Sequence, residues 1–148
     1  MTEWRSSSVA ETRAVGRDLA RELAPDGALL LIGELGAGKT VLVQGLAEGL
    51  GIDPAEVQSP TFTLVREHRG ERGRLLHFDL YRLAPDEVVA AGLEELLLGP
   101  GVKAVEWAER LPFDVPGAVV LALERAGETR RIRRLNAREL AEHGAAVR

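Results

Sequence analysis

Gly33-Glu34-Leu35-Gly36-Ala37-Gly38-Lys39-Thr40 constrains this chain more than any other stretch. It fits the spacing G-x-x-x-x-G-K-[ST] at every fixed position. Its surroundings match as well: the apolar run Ala28–Ile32 precedes it, and Leu42, Leu46 and Leu50 mark a helical face behind it. Glycines let such a loop curl until successive amides point at one anion, and the helix N-terminus adds its positive end. The amides of Leu35, Gly36, Ala37, Gly38, Lys39, Thr40 and Val41 are therefore expected to hold phosphate oxygens. Lys39 would place its charge on the β- and γ-phosphates, and the Thr40 hydroxyl would ligate Mg²⁺. Only two of the 19 basic residues are lysines, which argues against Lys39 standing there by chance. The usual guanine-reading motif places lysine two residues before aspartate. Lys39 is followed by Thr40-Val41 and Lys103 by Ala104-Val105, so ATP is the expected nucleotide.

A chain of 148 residues is one domain's worth, spanning 1–148, and large enough to bury a core without staples. It contains no cysteine, which excludes disulfides and thiol nucleophiles. Its net charge of −4 excludes a broadly basic nucleic-acid coat. The longest clean apolar runs, Ala28–Ile32 and Ala118–Leu123, are too short to cross a membrane, and the N-terminus lacks a signal peptide's apolar stretch. A cytoplasmic location is expected.

Ser8 and Glu11 have capping-box spacing ahead of a helix carrying Val9, Thr12, Val15, Leu19 and Leu23 on one face. Thr61–Val65 and Leu75–Leu80 read as strands joined by a turn at Arg69–Gly73. Val89, Leu93, Leu96 and Leu97 suit one amphipathic helix. Val102–Trp107, Ala118–Glu124 and Arg130–Leu135 complete the strands. The class is α/β: a P-loop NTPase with a mostly parallel central sheet, an inserted antiparallel hairpin and helices on both faces.

A metal-side acid is expected at the C-terminal end of a strand near the loop. Asp79 and Glu106 both qualify. With two such acids, one can hold the metal while the other orients or deprotonates the attacking group. Ser59-Pro60-Thr61 fits either a Ser-Pro turn into a strand or a switch segment whose hydroxyls sense the γ-phosphate. The arginines clustered at 66–74 and 130–134 suit a solvated face or an RNA-facing one.

Four blocks in order carry a family resemblance: Gly33–Thr40, then Ser59-Pro60-Thr61-Phe62-Thr63-Leu64-Val65, then His77-Phe78-Asp79-Leu80-Tyr81-Arg82, then Glu106-Trp107. The sequence resembles the TsaE (also called YjeE) family of bacterial P-loop ATPases, which support threonylcarbamoyladenosine synthesis on tRNA. It departs from the common pattern at Glu34, where aspartate is usual, and at Ala108, where proline often stands. The resemblance implies an ATPase whose hydrolysis resets a core formed by two transferase subunits, with any tRNA contact indirect. Carried over, Thr40 and Glu106 ligate Mg²⁺ and Asp79 is positioned for hydrolysis. Ser59, Thr61 and Thr63 belong to the switch. Thr12 would approach the base or ribose, and Arg131 would close the site from the last strand. The readings from other classes are a small-molecule P-loop kinase and a nucleotide-dependent binding module with negligible turnover of its own.

Overall fold

Ser8 starts the first helix as its spacing predicts. Its hydroxyl accepts the Glu11 N–H at 3.1 Å, while the Glu11 carboxylate accepts the Ser7 N–H at 2.5 Å. The helix, α1 (Val9–Leu23), buries Thr12, Val15, Gly16, Leu19 and Leu23. The computed structural model describes residues 2–34, 36–59, 64–136 and 138–139. Around α1 lie β1 (Glu3–Ser6), β2 (Ala28–Ile32), α2 (Lys39–Gly49), β3 (Val65–Gly70) and β4 (Gly73–Asp79). After them come α3 (Pro85–Ala90), α4 (Leu93–Leu97), β5 (Val102–Glu106), β6 (Val119–Ala126) and β7 (Thr129–Leu135).

The seven strands form one sheet in the order β1-β7-β6-β2-β5-β4-β3. The central strands, β6, β2, β5 and β4, run parallel. The flanking pairings β3–β4, β6–β7 and β1–β7 are antiparallel, so the sheet as a whole is mixed rather than mostly parallel. Every residue of β2 and β5 is buried, as strands covered on both faces require. Alternation divides the core in two. Leu29, Leu31, Leu75, Val102 and Ala104 pack with residues of α1 and α2. Leu30, Ile32, Leu76, Phe78 and Val105 pack with Val88 of α3 and with Leu93 and Leu97 of α4.

Helices α1 and α2 cross at glycines. A Cβ on Gly16 would lie 2.2 Å from the Leu42 carbonyl oxygen, and one on Gly45 would lie 2.0 Å from that of Arg13. No larger residue permits this approach.

Two expectations need correction. The hairpin continues through Arg66–Arg69 to the pair Gly70–Gly73, because an edge strand tolerates exposed charges that read as a turn. Of the strand expected at Thr61–Val65, residues 61–63 lie outside the described residues. The single helix expected around Val89–Leu97 is two short ones, parted at Gly92 with φ 72°. Val89 and Leu96 consequently face solvent, and Val88 is the buried valine of α3. Strand β1 was not anticipated. It is four residues long and held to β7 at the sheet's edge, with Trp4 opposite Ile132. The second lysine has a structural duty. Lys103 Nζ donates to the carbonyls of Asp26 at 2.7 Å and Gly99 at 2.5 Å, tying two turns together at one end of the sheet.

Candidate functional site

At the end of β2 the chain leaves the sheet at Gly33, where a Cβ would sit 2.5 Å from the Leu123 carbonyl oxygen. It re-enters regular structure at α2 through Gly38, whose φ of 103° is left-handed and suits glycine. Gly38 at the N-cap of α2 makes no side-chain cap hydrogen bond. The first-turn amides and the positive end of the helix therefore meet the adjoining cavity of about 630 Å³. That volume is ordinary for a small-ligand site. Gly36, Ala37, Gly38, Lys39, Thr40 and Val41 all line it; Leu35 lies outside the described residues.

Lys39 is turned back on its own loop. Its Nζ donates to the Gly33 carbonyl and, at 3.0 Å, to that of Glu34, and it sits 4.1 Å from the centroid of the Trp107 ring. Burial lowers its pKa below the ordinary lysine value, opposed by the charges of Glu109, Glu106, Asp79 and Glu34.

Thr40 Oγ1 lies 3.0 Å from each carboxylate oxygen of Glu106, the last residue of β5. Glu106 Oε2 is also 2.6 Å from Nε2 of the fully buried His77. Asp79 ends β4 directly opposite Glu106 in register. One Asp79 oxygen accepts the Ser59 hydroxyl and the other accepts the Tyr81 N–H at 2.9 Å. Parallel pairing of β4 with β5 thus brings the two predicted acids side by side at the mouth of the loop. A hydroxyl and carboxylates are hard oxygen donors, the set that fits Mg²⁺.

The opposite wall comes from residues 6–9 and Thr12, whose hydroxyl is 2.7 Å from that of Ser6. Of the predicted switch hydroxyls, Ser59 lines the cavity, while Thr61 and Thr63 lie outside the described residues. Arg131 is not at this cavity. It pairs with Glu3 of β1 at 3.0 Å, and Arg130, its neighbour on β7, reaches the cavity instead. Successive strand residues face opposite sides, so a one-residue error in register moves the side chain across the sheet.

Two aromatic residues of the resemblance blocks also belong to the site, although no spacing rule marks them. Tyr81 and Trp107 line the cavity with ring centroids 4.9 Å apart. Trp107 has φ 61°, left-handed for a residue with a bulky side chain, where the chain turns sharply away from β5. No spacing rule marks Glu109 either. It lies behind the loop, accepts the Gly33 N–H at 3.4 Å with one oxygen, and its Oε1 is buried without a hydrogen-bond partner among the described residues. Burial raises its pKa above the ordinary carboxyl value.

The family profile described as "Threonylcarbamoyl adenosine biosynthesis protein TsaE" matches residues 6–135. The chain belongs to the TsaE family. Among curated TsaE relatives, the Nostoc sp. protein is 45% identical over 117 residues, covering 76% of this chain and 72% of its own. The TsaE of Bacillus subtilis is 40% identical over 130 residues, covering 87% and 81%. Both carry the description "tRNA threonylcarbamoyladenosine biosynthesis protein TsaE". A crystal structure of Bacillus subtilis YdiB superposes with a TM-score of 0.68 at 34% identity, covering 95% of this chain and 94% of that one. The TsaE profile runs from Ser6, at the cavity wall, to Leu135 at the end of β7, and so spans the loop, Asp79 and Glu106.

Proposed function

We propose that this protein is a Mg²⁺-dependent ATPase with a P-loop NTPase fold that supports threonylcarbamoyladenosine formation on tRNA. The observation that carries the reading is the Thr40 hydroxyl, 3.0 Å from both Glu106 oxygens beside the N-terminus of α2. Membership of the TsaE family supports the pathway.

In this reading Thr40 and Glu106 hold the cation, which when bound would neutralise charge on the transferring phosphate. The amides from Gly36 to Val41 orient the phosphates. Lys39 would exchange the carbonyls of Gly33 and Glu34 for phosphate oxygens. Asp79, braced by Ser59 and the Tyr81 amide, would orient the attacking water. Because Ser59 touches Asp79, the segment it opens can couple hydrolysis to a surface that partners touch. Those partners are the two transferase subunits of the pathway, which hydrolysis resets, in the cytoplasm and with tRNA engaged indirectly.

The test measures ATP turnover alone and with the transferase subunits and tRNA. Slow turnover that the partners accelerate is expected; acceleration by a small acceptor instead would favour a kinase. Asp79→Asn should keep nucleotide affinity and lose about 100-fold in turnover. Glu106→Ala should weaken binding in Mg²⁺ but not in its absence. The reverse pattern would exchange the two roles.

A further inference from the structure

We propose that His77 is a positioning residue: it fixes the Glu106 carboxylate for the cation and thereby sets the metal dependence of nucleotide binding. The inference rests on the proposed function, which assigns Glu106 to the metal. His77 and Glu106 are both buried, and a carboxylate taken out of water needs hydrogen-bond donors in place of it. Among the described residues there are two, Thr40 Oγ1 and His77 Nε2. Thr40 is itself a proposed ligand, so within that pair each group holds only the other. His77 is the contact that ties the Glu106 carboxylate to the neighbouring strand β4.

The placement follows from strand geometry. His77 precedes Asp79 by two residues, so both point to the face of β4 that looks toward α2. One strand therefore serves both acids: it ends in Asp79, and through His77 it steadies Glu106 on the neighbouring strand. The chemistry of the ring also fits. A carboxylate can only accept, so the 2.6 Å contact requires the hydrogen on Nε2. Nδ1 is the ring atom that lies buried without a hydrogen-bond partner among the described residues, so a hydrogen there would have no acceptor. With the tautomer reversed, a buried N–H would lack an acceptor and two acceptors would face each other.

The experiment titrates a non-hydrolysable ATP analogue into wild type, His77→Leu and His77→Gln, in EDTA and over a Mg²⁺ series. In wild type, Mg²⁺ should tighten binding. His77→Leu should bind as wild type in EDTA but need about 10-fold or more Mg²⁺ for the same tightening, the usual loss when a ligand's outer support is removed. His77→Gln carries an amide N–H near the position of Nε2 and should restore most of the effect. Equal weakening with and without Mg²⁺ would mean a structural role only and overturn the proposal. So would an unchanged Mg²⁺ dependence in the leucine variant. If wild type itself showed no Mg²⁺ dependence, the metal reading of the site would fail, a result distinct from either. Nitrogen-15 spectra of the wild-type imidazole give a check independent of any variant's folding: a hydrogen on Nδ1 rather than Nε2 would also overturn the proposal.

Discussion

Glu109 is held behind the loop at some cost. Desolvation disfavours its charged form, and hydrogen bonds from its own amide and the Gly33 amide, with the charges of Lys39 and Arg110, offset only part of that. Its folded-state pKa is raised, so the folded protein binds a proton more tightly than the unfolded chain, and stability falls as pH rises from about the ordinary value of 4.5. Glu109→Gln keeps an acceptor for Gly33 and removes the charge. It should be more stable than wild type at pH 7, and the difference should vanish below pH 4.5; urea unfolding across that range checks both ends. At this scale the sequence was most legible where one spacing rule places a group without reference to the rest of the fold. Lys39 and Thr40 follow from the glycine spacing, and Asp79 and Glu106 from the ends of apolar runs. Arg130 and Arg131 could not be separated in this way, since the choice depends on the pairing of β7 with β1 and β6. Glu109 gave no signal, because its burial comes from β2 and β6 folding around it.

Between elements, the contact of α1 with α2 matters most to the site, since α1 carries Thr12 and the Ser8 cap while α2 carries the loop's far end. Gly45→Ala tests that contact. Alanine would add up to about 1 kcal/mol of helix propensity. The new methyl group meets the Arg13 carbonyl oxygen at 2.0 Å, however, and overpacking against backbone costs about 3 kcal/mol. The clash wins: a net loss of about 2 kcal/mol is expected by chemical denaturation. The same elements mark where pattern reading works. Helix α1 and strand β2 were legible because cap, periodicity and apolar run agree. The extent of β3 was not, because its partner covers one edge only and its charges face water. The break at Gly92 was hidden by leucines that keep helical spacing on both sides of it.

On the scale of the molecule, the parallel centre of the sheet gathers the ends of β2, β4 and β5 beneath one cavity, and β1 with β7 supplies the opposite lip. A ligand bound there touches nearly every layer and should stabilise the whole fold. At about 100 times its Kd, ATP with Mg²⁺ should contribute about 2.7 kcal/mol. For a chain of 148 residues that is a rise in Tm of about 5–10 °C. Lys39→Ala should abolish the rise in the same thermal melt. The seat of Lys39 against Trp107 has a further consequence, in optics. The chain has two tryptophans, and Trp4 packs against the core on the α1–α2 side. Trp107 lines the cavity with an ammonium group over its ring. Drawing Lys39 toward a phosphate removes that cation from the indole, so the emission of Trp107 should shift as nucleotide enters while that of Trp4 stays constant. A Trp4→Phe variant would make this protein a label-free fluorescent gauge of its own occupancy, readable in real time as partners are added.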